Sequence, residues 1–326
     1  MTDLLPLVKK SGAYKTLKAD VKSDRLSHAY LILCKDKKYL KEVLRIFAKL
    51  IVCKQDDPCG NCRACNLIDG GIFPDVYEFP VKGEQILKDD VIRIIEESYL
   101  KPVEGDRKIF LLNNAESMNT VAQNKLLKTL EEPPDNTHII LGATGEYSLL
   151  PTVRSRVKTL TVEDFSAEEL FSAMKSSFPD AARLKTAIAC GDGTVGTAET
   201  LYGDDEFLRA VDFTADLILN MQSSKDLPKF SRRMATEKID FSDFLSVFEI
   251  SLRDMLCEIS GKEKEIINAA LLARIRGAKG FNEGAILYIT DRIKDARKRI
   301  KANANAQMLS DGFLFSVLEG KHKWSK

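Results

Sequence analysis

The sequence predicts an α/β domain, a parallel sheet flanked by helices, followed by a wholly helical C-terminal part. Three observations carry this. Short apolar runs rich in β-formers alternate with amphipathic stretches through residues 1–163, apolar residues beyond residue 205 recur only at helical period, and no strand pattern returns there. At ~100–200 residues per domain, a chain of 326 residues divides into two or three. The expected division is an α/β domain over 1–163, a small helical domain over 164–204 and a helical domain over 205–326.

Each element has its own warrant. Ala29-Tyr-Leu-Ile-Leu33 is too short for a helix and reads as the first strand. Leu40, Val43, Leu44, Phe47, Leu50 and Ile51 then fall at helical spacing. Asp75–Phe79 is a second strand, Val91, Ile94 and Ile95 mark a helix, and Lys108–Leu112 is a third strand. The helix over 119–132 must stop before Pro133-Pro134, since proline lacks the N–H that would continue it. His138–Gly142 is the fourth strand and Val157–Leu160 the fifth. Two or three short helices are expected over 166–202, broken by Gly191, Gly193 and Gly196. Further on, Phe244, Val247, Phe248, Leu252, Met255 and Leu256 form an apolar stripe that reads as a packing face.

Composition narrows the function classes. Lys+Arg number 49 against Asp+Glu 48, a formal charge of +1, so no bulk electrostatic footprint for nucleic acid is present. Hydrophobic residues at 44% and charged residues at 30% fit a globular chain and exclude a disordered one. No apolar run approaches the ~20 residues of a membrane span, and the first thirty residues lack the apolar centre of a secretion signal. The expectation is a cytoplasmic protein with reduced thiols and no membrane partner.

Four of the seven cysteines, Cys53, Cys59, Cys62 and Cys65, stand at spacing C-x5-C-x2-C-x2-C. A C-x2-C turn lets two thiolates approach one ion, and four sulfurs in a tetrahedron suit zinc and leave no open position, so a structural site is expected. Pro58 and Gly60 favour the tight turns this needs. Unliganded thiols, a redox pair or an iron–sulfur cluster are the alternatives the spacing leaves open. Cys34, Cys190 and Cys257 stand alone in apolar contexts and read as small buried hydrophobes.

A phosphate-binding loop, G-x-x-x-x-G-K-[ST], belongs between the first strand and its helix. The stretch there is Cys34-Lys-Asp-Lys-Lys-Tyr-Leu-Lys41: both glycines are missing, Leu40 replaces the lysine and Lys41 the hydroxyl. Tyr39 is expected to carry its ring into the space phosphates need. The third strand leads into Asn113-Asn-Ala-Glu116 without the aspartate that usually serves Mg²⁺, and Glu116 lies late for that role. Lysines 35, 37, 38 and 41 read as a solvated face, with weak anion binding as the other reading.

Several segments resemble one family, the bacterial clamp-loader ATPase subunits of the AAA+ class. Ser27-His-Ala-Tyr-Leu31 looks like their entry to the first strand, and Asn124-Lys-Leu-Leu-Lys-Thr-Leu-Glu-Glu-Pro-Pro134 is nearly word for word their helix before the sensor strand. Thr152-Val-Arg-Ser-Arg-Val157 resembles their Ser-Arg-Cys motif with Val157 for cysteine, and Asn303-Ala-Asn-Ala-Gln307 resembles their collar signature. The cysteine segment sits where that family carries its zinc module, with a short first gap. Gly193-Thr-Val-Gly-Thr-Ala198 matches the segment where active members carry a sensor arginine, and Gly196 takes that place.

The resemblance implies an AAA+ fold with a small helical lid and a helical collar. A degenerate phosphate loop beside an intact Ser-Arg motif points, within DNA polymerase III, to the delta-prime branch: no intrinsic ATPase and no ATP bound by this chain. Implied partners are motor (gamma/tau) and delta subunits in a hetero-pentamer, the sliding clamp, and primed DNA through the complex. Arg156 is the implied arginine finger, acting in trans on a neighbour's γ-phosphate; its planar, permanently charged fork suits phosphate oxygens. Arg154 has the same chemistry, but family register favours Arg156.

Plain readings accompany the rest. His28 reads as a hydrogen-bonded turn residue, and Glu131-Glu132, adjacent on a helix and so about 100° apart, as a helix-end surface or subunit contact. The run Arg292, Lys294, Arg297, Lys298, Arg299, Lys301 reads as a solvated helix face. Lys88 and Arg93 are candidates for template phosphate only through the resemblance. The competing classes are an ATP-binding motor subunit and an autonomous zinc-dependent DNA-binding protein; charge near zero counts against the second.

Overall fold

The computed structural model describes residues 2–145, 147, 149–302 and 304–323. Its contacts divide the chain into two compact units, Met1–Met174 with Thr194–Gly196, and Lys175–Gly193 with Thr197–Lys326.

The first unit is built on five parallel strands in the order β2-β3-β4-β1-β5: β1 Ala29–Leu33, β2 Val76–Phe79, β3 Lys108–Leu112, β4 Thr137–Ala143 and β5 Lys158–Thr161. Parallel neighbours need long crossovers, and helices supply them: α1 Leu5–Val8 and α2 Gly12–Lys22 precede the sheet, and α3 Leu40–Val52, α4 Arg63–Asp69, α5 Lys88–Ser98, α6 Thr120–Glu131 and α7 Pro151–Arg154 link its strands. A sheet covered on both sides reads as continuous apolar strands instead of alternating ones. Accordingly β3 and β4 are buried at every residue. Side chains of alternate residues part to the two faces. Leu31, Phe110, Leu112, Ile139 and Leu141 pack with Val91 and Ile94 of α5 and Leu126 of α6. On the opposite face Gly142 lies under Leu40 and Leu44 of α3, so close that a β-carbon would come within 2.9 Å of Leu44.

β1 and β3 fall where the apolar runs place them, whereas β5 runs one residue later than the expected Val157–Leu160. It is an edge strand with only Leu160 buried, so its limits follow from pairing with β1, Tyr30 opposite Lys158, and not from an apolar pattern. α8 Ala167–Met174 closes this unit.

The second unit is helical. α9 Ala181–Cys190 and α10 Val195–Gly203 lead to α11 Asp205–Asn220, α12 Leu227–Thr236, α13 Phe241–Ile259, α14 Ala269–Ile275, α15 Glu283–Lys301 and α16 Ala306–Lys323. Aspartate starts three of them: Asp180, Asp204 and Asp240 each accept two backbone N–H bonds from the first turn of α9, α11 and α13. Such caps satisfy amides that have no partner inside the helix. The expected stripe on α13 is the centre of the core: Phe244 meets Phe213 at 5.4 Å, Phe248 at 5.4 Å and Phe313 at 5.8 Å between ring centroids. Asn303, the first residue of the collar-like signature, lies outside the described residues; Asn305 accepts from Met308 N at 3.0 Å as α16 begins.

Because Phe244 meets four rings, those of Phe213, Phe241, Phe248 and Phe313, and is fully buried, Phe244→Ala should cost the helical unit about 3–5 kcal/mol. Urea unfolding followed by helical circular dichroism reads the loss, and an unchanged midpoint would contradict the packing.

Candidate functional site

Parallel strands place all their C-terminal ends on one edge, where open α/β sheets bind ligands beside a change in strand order. Here the loop after β1 begins with Cys34 N donating to Ala143 O at 3.0 Å, then turns into α3. Asp36, only 6% exposed, accepts from Tyr39 N at 3.2 Å and from Gly196 N at 2.8 Å. Tyr39 is itself buried at 4% exposure, and the Asp36 carboxylate takes its N–H within the turn.

Charge on this edge is largely spoken for. Lys35, Lys37, Lys38 and Lys41 are all exposed, as expected of a solvated face, and two of them are also paired, Lys35 with Asp164 and Lys41 with Glu78 at 2.9 Å. Arg45 grips Glu78 through two bonds of 2.6 and 2.9 Å. Burial alone would raise the Glu78 pKa, yet the bonds from Arg45 and Lys41 hold it below the usual carboxylate range. Glu116, weighed from sequence as a substitute metal-site carboxylate, accepts from Thr144 N at 3.0 Å, Thr144 Oγ1 at 2.7 Å and Gly145 N at 3.3 Å. It is a brace for the loop after β4. The adjoining cavity, bordered by Lys37, Lys41, Glu78 and Asn113, is about 230 Å³, below the ~300–1,000 Å³ of ordinary small-molecule sites.

The Ser-Arg segment lies at the other edge. Pro151 opens α7, Val153 anchors it in the core, and the chain then enters β5. Arg156 is held on three sides: Nη1 donates to Thr152 O at 2.8 Å and Ser155 Oγ at 3.1 Å, and Nη2 lies 2.6 Å from Glu131 Oε1. Glu131 is thereby more than the helix-end surface expected of it. The His28 ring nitrogen bonds the Arg156 carbonyl at 3.1 Å, which fits its turn-residue reading. Beside it, buried His138 bonds Ser27 O at 2.9 Å, and desolvation lowers its pKa. The Arg154 guanidinium lies over the Tyr147 ring at 5.5 Å.

The cysteine segment closes on itself. Cys53 follows the last turn of α3, and Cys62 caps α4. Cys59 Sγ lies 3.8 Å from Cys53 Sγ and 4.0 Å from Cys65 Sγ, and the four sulfurs lie within 4.8 Å of one another. Four sulfurs at ~2.3 Å from one tetrahedral ion would stand roughly 3.8 Å apart. The donor set therefore fits a closed metal site. Cys62 N and Cys65 N point at Cys59 Sγ (3.3 Å) and Cys62 Sγ (3.4 Å), the N–H donors that favour thiolates. Backbone N–H groups of Asn61 and Cys62 lower the Cys59 pKa to about 6, while burial lifts Cys65 to about 12. Of the other cysteines, Cys34 and Cys257 are buried and Cys190 is partly buried.

Two acids that the sequence gave no reason to single out hold this segment. Asp57 accepts from Tyr14 Oη at 2.7 Å and Lys18 Nζ at 2.6 Å. Asp75, fully buried, accepts from Val103, Glu104 and Gly105 N at 2.6–2.8 Å, which sets Glu104 against Arg63 of α4 at 2.9 Å. Their partners are 28 or more residues away, beyond any local pattern. Lys88 and Arg93 are exposed on α5. In the basic run of α15, Arg292 pairs with Asp295 at 3.3 Å and Arg297 with Glu249 at 2.7 Å. Among the described residues no helix is long and apolar enough to cross a membrane.

Comparison with known proteins bears on these features together. The profile of the family described as DNA polymerase III, delta subunit, matches residues 9–166. The DNA polymerase III subunit delta′ of Bacillus subtilis is 27% identical over 330 residues, covering 98% of this chain and 98% of that protein. Its counterpart in Haemophilus influenzae is 33% identical over 170 residues, 51% of this chain and 52% of that protein. The tau/gamma subunit of Haemophilus influenzae is 32% identical over 139 residues, 42% of this chain and 20% of that protein. The chain is thus similar to DNA polymerase III delta-prime subunits, over nearly its whole length in the case of Bacillus subtilis.

Removing the Asp75 carboxylate would leave three amides of residues 103–105 without their acceptor. At ~1–3 kcal/mol for each buried group left unpaired, Asp75→Ala should destabilise the first unit by at least about 3 kcal/mol. Thermal unfolding measures this, and a loss within error of zero would contradict it.

Proposed function

We propose that this chain serves a DNA polymerase III clamp loader as its non-hydrolysing subunit and lends Arg156 to the nucleotide of a neighbouring motor subunit. One observation carries the reading: Arg156 and the loop after β1 lie at opposite edges of one sheet. Arg156 precedes β5 and bonds His28, which precedes β1, while Asp36 follows β1. Five residues of strand at roughly 3.3 Å each put about 16 Å between those edges. The arginine is thus out of reach of its own chain's loop and free to serve another's. Its guanidinium is one-third exposed and already oriented by Thr152 and Ser155. A fixed, forked cation at that corner suits transition-state charge on a phosphoryl group, a contribution of ~10³–10⁵ in P-loop enzymes.

The further reading completes the assembly. Residues 1–163 form the AAA+ body, 164–204 the lid and 205–326 the collar, in a cytoplasmic hetero-pentamer with gamma/tau and delta subunits. That assembly loads the sliding clamp on primed DNA. Cys53, Cys59, Cys62 and Cys65 hold zinc, which when bound fixes the segment between α3 and α4 and does no chemistry on substrate.

Two measurements test this. In the complex reconstituted with tau/gamma, delta and clamp, Arg156→Ala should leave the assembled mass unchanged and cut clamp-stimulated ATP turnover by at least about tenfold, with Arg156→Lys between. Full turnover by the alanine variant removes the role, and saturable ATP binding by the chain alone would restore the motor reading. Metal analysis of the purified chain should find one zinc per chain, lost in Cys62→Ser together with thermal stability; a metal-free chain of equal stability refutes the zinc assignment.

A further inference from the structure

The Arg156 side chain is ordered in part by a residue to which the proposed function gives no task. Glu131 is the last residue of α6 and follows Leu130, which is buried in the core of the first unit. Its Oε1 lies 2.6 Å from Arg156 Nη2, whereas the two bonds of Nη1 go to Thr152 O and Ser155 Oγ of the arginine's own segment. All of these residues belong to the first compact unit.

Glu131 is not what seats that segment. Leu150 N donates to Gln123 Oε1 at 2.7 Å just before α7, Val153 is fully buried, and the Arg156 carbonyl bonds the His28 ring at 3.1 Å. The backbone over 150–156 is thus held without the carboxylate, and what Glu131 adds falls on the guanidinium. A pair in which the acid is about half exposed and the arginine one-third contributes little to folding. It does restrict the rotamers of a long side chain. A carboxylate oxygen also takes from Nη2 the same kind of charge-assisted bond that a phosphate oxygen takes.

We propose that Glu131 is a positioning residue for Arg156: its carboxylate holds Nη2 in place of a phosphate oxygen until the nucleotide of the neighbouring subunit replaces it. This role rests on the trans action of Arg156 proposed above, and it assigns the aim of that arginine to α6.

Steady-state ATP turnover by the complex reconstituted with tau/gamma, delta and clamp tests it. Glu131→Ala should lower kcat about three- to tenfold, a part of the side-chain ordering cost, with KM for ATP, assembled mass and the thermal midpoint of the chain unchanged. Glu131→Gln, which keeps an oxygen to face Nη2, should recover most of the loss. In an Arg156→Ala chain, adding Glu131→Ala should cost nothing further, because the two side chains act as one unit. Wild-type kcat in Glu131→Ala beside a defective Arg156→Ala overturns this inference and leaves the role of Arg156 standing. Full turnover by Arg156→Ala removes both. An equal loss from Glu131→Ala on the Arg156→Ala background also overturns the inference, since the carboxylate would then act through another group. So does a loss that comes with a lower midpoint or a lighter complex, or one that Glu131→Gln fails to recover, either of which makes Glu131 a structural contact only.

Discussion

Parallel pairing of β1 between β4 and β5 is the constraint from which the rest of the first unit follows. It puts every strand start on one edge and every strand end on the other. The loops after β1, β3 and β4 therefore meet at a single place, and Glu116 can reach from the loop after β3 to the Thr144 amide after β4. The segments before β1 and β5 meet at the far edge, where His28 touches the Arg156 carbonyl. Burial of both sheet faces keeps this frame rigid, because any slip in register would expose the apolar rows of β3 and β4.

On that frame the charges have a consistent sense. At the strand ends each position where backbone amides gather is met by a carboxylate of the chain itself: Asp36 at the starts of α3 and α10, Glu116 at residues 144 and 145. Glu78 takes up Lys41 and Arg45 beside them. Asp36 is buried and Glu78 and Glu116 partly so; acids withdrawn from water are tolerated when hydrogen bonds replace it, and all three meet that condition. A site that satisfies itself has little left to offer a ligand, which agrees with a cavity smaller than ordinary binding sites.

How much of this was legible in the sequence depends on distance along the chain. β1 and β3 show as apolar runs because all of β3, and all of β1 except the partly buried Leu33, is buried by tertiary contacts of one kind. The cysteine cluster shows because its ligands lie within thirteen residues. The missing glycines of the loop after β1 were equally plain, but the bond that Asp36 makes there to Gly196 N was not. Its partner is 160 residues away, and an aspartate in a turn is by itself commonplace. The same holds for Asp75, whose three amides lie 28–30 residues on, and for Glu131, read as a surface residue until Arg156 is folded against it. β5 slipped by a residue because an edge strand with one buried side chain has no pattern to read.

On the proposed role of Arg156, the Glu131 contact bears on how an arginine would wait for a partner. Left alone, a guanidinium at an exposed corner samples many rotamers, and ordering it costs on the order of 2 kcal/mol of side-chain entropy. Here Nη1 is fixed by Thr152 O and Ser155 Oγ, bonds that a phosphate arriving at Nη2 would not need to break. Nη2 rests on Glu131, half exposed, and an ion pair of that kind is worth only ~0–1 kcal/mol. A phosphate carrying more charge than a carboxylate displaces such a partner readily, because it offers a stronger charge-assisted bond at the same nitrogen. The pair thus pre-pays the ordering while adding little to what must be given up. A deeper salt bridge would hold the arginine too firmly to exchange, and none at all would leave its aim to chance.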